Sequence, residues 1–398
     1  MTASNASWFR LGSAAAAVAL FLVSWALLHH GFYARNEIVD TPVYERYGEA
    51  MTQGQVPYRD FAVEYPPAAL PVFLLPALGE GDSSDFERRF EGLMAALGVA
   101  CVLLVAAVAS ATWAPLFVAA APLALGSVML TRFDLWPAAL TVAALALVVG
   151  GRFRLGFGTL GLATAAKLYP ALLLPVAIAH VWRLRGRREA LICTGAFLAV
   201  VVAVVLPFAA LSPGGVWDSF WRQAGRPLQI ESLGAGLLLV SHHLFGLELT
   251  MESSYGSQNL VGTGADVLSA ASTLVQAAAL IAIWLWYARG PAERGRLLAA
   301  SAAAVCAFVA FGKVLSPQFL IWLIPLVPLI GGRRGLAACG LLAAALVLTQ
   351  IWFPFRYWEL ALEFDTVASW LVLVRDLVLV ALTVMLITRV RPERAHSP

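Results

Sequence analysis

GFGTLGLATAAKLYPALLLPVAIAHVWRLRGRR, residues 156–188, decides how the chain folds. Eleven uncharged residues run up to Lys167, Pro170 breaks the run, and twelve more uncharged residues lead down to four arginines. A helix of that length rises only about 16–18 Å, short of a ~30 Å hydrocarbon core. Such a pair turns at Lys167, where proline ends the first helix, and leaves a cavity above it. The arrangement recurs further on: 297–312 rises to Lys313-Val-Leu-Ser-Pro317, and 319–330 returns to Gly331-Gly-Arg-Arg334. Lys167 and Lys313 are the only lysines in the chain.

Outward from these turns, the 398 residues are 60% hydrophobic and 13% charged, with a mean hydropathy of +0.79. Soluble domains carry roughly 25% charged residues. Apolar runs near the bilayer-crossing length of ~20 residues recur throughout. They are continuous rather than alternating, which excludes a β-barrel. Spans are predicted near 11–30, 92–111, 114–131, 133–150, 155–166, 170–183, 190–210, 265–288, 297–312, 319–331, 335–353 and 367–388. The expectation is therefore one all-α polytopic membrane domain over 1–398, with about twelve transmembrane helices (range 10–13). The run 11–28 has no evident cleavage site and reads as a retained first helix. The run 66–78 carries four prolines and reads as a juxtamembrane helix. It belongs to a first outer loop, 31–91, and a long second loop spans 211–264.

Charge sets the orientation. With the N-terminus inside, the inner segments hold 15 Arg against three acids, and the outer ones 11 Lys/Arg against 20 Asp/Glu. That satisfies the positive-inside rule and places both termini in the cytoplasm. Every unusual polar group then converges on the outer face.

The four cysteines lie in apolar runs, with neither a disulfide framework nor metal spacing. No P-loop or dinucleotide fingerprint is present, which argues against a nucleotide-driven pump. No cofactor, metal or nucleic acid is expected.

The polar residues concentrate in NEIVDTPVYERYGEAMTQGQVPYRDFAVEYPP, 36–67, which holds six Asp/Glu, two Arg and four Tyr. Asp40 is placed as N-cap before Thr41-Pro42, opening a helix with Tyr44, Tyr47 and Met51 on one face. Glu64 precedes the rigid Tyr65-Pro66-Pro67. Asp40 and Glu64 are the acid/base candidates, whereas Asp60 beside Arg59 reads as a local ion pair. Charges at the membrane boundary are expensive and point to function. Lys167, Lys313, Arg132 and Arg375 form a cationic set suited to lipid phosphate. The plainer alternative is snorkelling, or buried pairing of Arg132 with Asp134 and of Arg375 with Asp376. Adjacent His242 and His243 point apart and have no third ligand, so a structural role or a place at the acceptor outweighs a metal.

Several motifs carry a resemblance. They are Asp40 with Tyr44 and Tyr47-Gly48, Val56-Pro57-Tyr58-Arg59-Asp60-Phe61, Glu64-Tyr65-Pro66-Pro67, Arg132-Phe133-Asp134-Leu135-Trp136-Pro137, Ala165-Ala166-Lys167-Leu168-Tyr169-Pro170, and Lys313-Val314-Leu315-Ser316-Pro317-Gln318-Phe319. Together they resemble polyprenyl-phosphate-sugar-dependent integral-membrane glycosyltransferases of the GT-C superfamily, and within it the bacterial mannosyltransferase-like group of glycosyltransferase family 87. The resemblance implies an inverting transfer at the outer face of the bacterial plasma membrane. A sugar, mannose before arabinofuranose, would pass from a polyprenyl-phosphate donor lipid to a cell-envelope glycolipid or lipoglycan. It makes Asp40 the general base. Many GT-C enzymes carry two adjacent acids there, so with Val39 and Thr41 flanking Asp40, Glu64 or Asp134 becomes the candidate second carboxylate. Arg132, Lys167 and Lys313 would take the donor phosphate. Tyr44, Arg59, Tyr65, Asp134, Tyr169, His242, His243 and Gln318 would line the substrates. A secondary transporter or lipid flippase is the alternative. It calls for charges near mid-membrane and inverted repeats, whereas the two Lys-turned pairs share one orientation.

Overall fold

The computed structural model describes residues 3–34, 38–79 and 81–388, with side chains from 11 onward. The charge assignments to Arg10, Arg35, Glu37, Glu80, Arg389, Arg391, Glu393 and Arg394, and Asn36 of the acidic stretch, lie outside them. The protein is an all-α polytopic membrane protein. In hydrocarbon every backbone N–H and C=O must be satisfied within its own segment, so Ala/Leu/Val-rich runs have no alternative to helix.

The chain begins with α1 (Ala3–Leu27), then α2 (Thr41–Thr52) and α3 (Leu70–Ala77) at the polar end. Next come α4 (Ser83–Val108), α5 (Ala114–Leu125), the single turn α6 (Val128–Thr131), α7 (Leu135–Val149) and α8 (Phe153–Ala166). A 3-10 turn at Tyr169–Leu173 leads into α9 (Leu174–Arg185), followed by α10 (Arg187–Leu211) and α11 (Pro213–Ala224). After strand β1 (Leu228–Gln229) and α12 (Leu233–Phe245), the hairpin β2 (Thr250–Ser254) and β3 (Ser257–Val261) completes a small sheet of order β1-β3-β2. The remainder is α13 (Thr263–Arg289), α14 (Arg294–Phe311), a broken segment containing α15 (Leu320–Leu323), α16 (Gly332–Trp352), α17 (Tyr357–Glu363) and α18 (Thr366–Ile387).

Eleven of the twelve predicted runs are helical over most of their length. The run 319–331, interrupted by Pro325 and Pro328, instead folds as short 3-10 turns around the four-residue α15. Six helices, α4, α10, α13, α14, α16 and α18, are by themselves long and apolar enough to cross a membrane. α8, with 14 residues, stops about 9 Å short of a full crossing, as the Lys167 turn implied. The 66–78 run folds as a 3-10 turn and the eight-residue α3, about 12 Å long and too short to span. It packs beneath α2, and the contact is so close at Gly48 that a methyl group there would meet the Phe73 carbonyl and Ala77. Tyr44 stacks on Phe73 with ring centroids 4.7 Å apart, and Phe133 and Tyr65 close the same aromatic core at 4.7 Å from each other.

The segment 211–264 holds more structure than a loop. α12 runs for 13 residues, with the Ser232 hydroxyl accepting from Ala235 N–H at its start and Gly246 left-handed at its end. It is too short to span, and a pass for bilayer-length runs overlooks it.

Arg375 and Asp376 lie fully buried within α18, 2.6 Å apart, and Arg375 also donates to the Glu231 carbonyl at 2.7 Å. This is the pairing that the plainer reading of Arg375 anticipated. Burying two charges costs about as much as their attraction returns. Replacing the pair together, Arg375→Met with Asp376→Leu, is expected to change stability by no more than about 1–2 kcal/mol. The thermal midpoint of the purified protein in detergent measures it; a collapse of the fold would instead make the pair indispensable.

Candidate active site

One cavity of about 540 Å³ opens among the turns at the polar end. Lys167 follows the last residue of α8 in an extended conformation, and Lys313 follows α14. Both side chains line the cavity, together with Glu64, Gln223, Arg226 and Gln318. Tyr65, Tyr169, Phe319 and Trp322 supply apolar wall. The two Lys-turned pairs, whose lysines stand 146 residues apart in the sequence, thus meet on one chamber. It offers cations at its polar lining and an aromatic, aliphatic body.

The cations are held differently. Lys167 Nζ lies 2.6 Å from Asp134 Oδ1, which also accepts from Trp322 Nε1 at 2.5 Å. Asp134 is only 1% exposed, and the Lys167 ammonium sits 4.7 Å from the Phe133 ring centre and 5.3 Å from that of Trp322. An ammonium over aromatic faces is stabilised by their quadrupoles. Lys313 Nζ donates to the Ala224 carbonyl at 3.1 Å, and no ion pair among the described residues includes it. Arg226 reaches Glu64 at 3.5 Å, and Gln223 donates to the Glu64 carbonyl at 3.1 Å. Three cations therefore face two carboxylates, a local surplus of one positive charge.

Asp40 and Arg132 form a second centre outside the cavity lining. Asp40 occupies the N-cap position of α2, but its carboxylate makes no capping bond. It turns instead to the Arg132 guanidinium in an ion pair and accepts from Tyr44 Oη at 3.3 Å. Arg132 is buried and also donates to the Ile38 carbonyl at 3.4 Å, while the Asp40 side chain is 30% exposed. The alternative pairing of Arg132 with Asp134 is not the one formed: Asp134 holds Lys167 and Arg132 holds Asp40. The backbone explains it, since Arg132 is extended and Asp134 begins a helix, which sends their side chains apart. Tyr65 joins the two centres. It lines the cavity, and its ring packs 6.0 Å from that of Tyr44.

The remaining candidates divide. Tyr169 lines the cavity, stacks on Trp322 at 4.1 Å and shares a 3.1 Å hydrogen bond with Thr141. Gln318 lines it too. Arg59 is outside, forked onto Asp60 at 2.8 and 2.9 Å, and those hydrogen bonds hold the Asp60 carboxyl down to about 2. His242 and His243 lie away from the cavity, tied to the Leu247 carbonyl at 2.6 Å and to Ser369 at 3.3 Å. Arg226, Gln223 and Trp322 were not singled out by the sequence. Arg226 is one charge in a long loop and Trp322 one aromatic in an apolar run, and only the tertiary fold gives either a partner.

Glycosyltransferase family 87 matches the chain over residues 63–317, well over half its length. The match takes in Glu64, Arg132, Asp134, Lys167, Arg226 and Lys313 and begins after Asp40. No curated protein matches the chain.

Proposed function

Since the chain belongs to glycosyltransferase family 87, we propose that it transfers one sugar from a polyprenyl-phosphate donor to a glycolipid or lipoglycan of the cell envelope, with inversion. Mannose is the first choice of sugar and arabinofuranose the second. The reaction is placed at the outer face of the bacterial plasma membrane, with both termini in the cytoplasm. The observation that carries this reading is the meeting of Lys167, Lys313 and Arg226 in one aromatic-walled cavity beside the Asp40–Arg132 pair.

The chemistry assigns roles as follows. The acceptor oxygen attacks the anomeric carbon while the bond from that carbon to the phosphate oxygen breaks, and the acceptor proton passes to Asp40. General-base catalysis of this kind is worth about 100- to 10,000-fold. The donor is a phosphodiester with one negative charge, and the departing lipid phosphate gains a second. Lys167 and Lys313 would meet that developing charge, and cations already fixed in position do so without reorganising. The cavity's surplus of a single positive charge suits a phosphodiester better than a diphosphate. Arg132 serves by orienting Asp40 through their ion pair rather than by contacting phosphate.

Lys313→Ala is expected to raise the KM for the donor lipid by about tenfold or more, the value of one hydrogen bond to a charged group, with less effect on acceptor KM. Titrating each substrate separately checks it, and an unchanged donor KM removes the phosphate role. The function itself is tested by mass spectrometry of envelope glycolipids with and without the gene. Loss of a species one sugar larger, with accumulation of its precursor, is the expected result.

A further inference from the structure

Arg226 has a guanidinium with more donors than partners. Its side chain is 15% exposed, and its one ion-pair contact among the described residues, to Glu64 Oε1, is 3.5 Å long. Normal N–H···O hydrogen bonds fall at 2.7–3.2 Å. The buried Nε has no hydrogen-bond partner among the described residues. A guanidinium presents its donors as a fork matched to carboxylate or phosphate oxygens, and this one stands in the wall that also holds Lys167 and Lys313.

The same contact fastens two segments. Arg226 follows α11, while Glu64 belongs to the first polar loop. Gln223 to the Glu64 carbonyl at 3.1 Å and Ser212 Oγ to the Tyr58 carbonyl at 2.9 Å tie the same two pieces. Lys313 grips the Ala224 carbonyl at the end of α11. α11 turns Ser219, Phe220 and Gln223 to the cavity and leaves Trp217 and Trp221 stacked on its outer side.

Resting on the donor reading above, we infer that Arg226 is a further phosphate-binding residue which Glu64 occupies until the donor arrives, so that donor phosphate and the Glu64 carboxylate compete for one guanidinium. Exchange replaces a long single contact by a forked one and removes one of the ties between the α11 segment and the first loop, while those from Gln223 and Ser212 remain. No bond is made or broken.

Competition gives a signature that a merely structural ion pair lacks. The measurement is equilibrium binding of farnesyl phosphate, with farnesol as the control, to the full-length protein in detergent. Arg226→Gln is expected to weaken farnesyl phosphate binding by about tenfold or more, as loss of a charge-assisted fork implies. Glu64→Gln is expected to tighten it by about fivefold, as removal of a partly exposed competing charge implies. In the Arg226→Gln background, Glu64→Gln is expected to have no effect. Arg226→Lys, which keeps the charge and loses the fork, should fall between wild type and Arg226→Gln and serves if the latter does not fold. Binding by Glu64→Gln that is no tighter than wild type overturns the competition, as does a gain that persists without Arg226. Wild-type protein that binds farnesyl phosphate no better than farnesol overturns the donor reading itself, and this inference with it.

Discussion

Asp40→Asn is expected to lower sugar transfer by about 100- to 10,000-fold while leaving a folded protein in the membrane. Asn has the shape of Asp and keeps an oxygen for Tyr44 Oη and the Arg132 guanidinium, but it cannot take a proton from an acceptor hydroxyl. Arg132 loses its ion-pair partner in this variant. It keeps the Ile38 carbonyl, and Asp134 and Glu231 still exert their field on it. The cost in stability should accordingly be smaller than that of stripping a buried charge of all its partners. Asp40→Glu separates the two effects. It preserves the charge pair while displacing the carboxylate, so the fold should be retained and transfer still reduced. Initial rates with the lipid donor, read beside thermal midpoints, distinguish the outcomes. Most of the activity surviving in Asp40→Asn would remove Asp40 as the base.

The second large effect concerns Asp134. It is 1% exposed, and one of its oxygens serves both Lys167 and Trp322. Asp134→Leu alone leaves a buried ammonium without its countercharge, a loss of about 3–5 kcal/mol. The aromatic rings around Lys167 offset only part of it, since a cation–π contact is worth about 0.5–2 kcal/mol. Adding Lys167→Met removes the stranded charge and is expected to restore most of the stability. Transfer should stay lost in the double variant, because the donor phosphate has lost Lys167. Recovery of both stability and transfer would make the Lys167–Asp134 pair purely structural.

What could be read in advance follows from the physics of the solvent. Lipid forbids unpaired backbone, so apolar runs declare helices, and eleven of the twelve runs and the short 66–78 segment were legible for that reason. Prolines and lone lysines at the turns marked Lys167 and Lys313, which do meet at one cavity, although the helix before Lys313, α14, has 18 residues and is not the short one expected. Partners were less legible. Arg132 and Asp134 are two residues apart and invite pairing, yet each finds its partner at long range, Asp40 being 92 residues before the one and Lys167 33 residues after the other. Asp40 stands at a helix N-cap but uses its carboxylate elsewhere, since the stronger attraction of a buried guanidinium outweighs a capping bond. Arg226 became visible only when the fold brought the end of α11 against Glu64.

The most direct measurement uses the purified chain in lipid vesicles with a radiolabelled sugar supplied in one of two forms. The account predicts that label passes to a glycolipid acceptor when the sugar is offered as polyprenyl-phosphate mannose, and that no label passes when the same sugar is offered as a nucleotide conjugate without polyprenyl phosphate. Direct transfer from the nucleotide sugar, or none from polyprenyl-phosphate mannose and arabinofuranose alike, would contradict it.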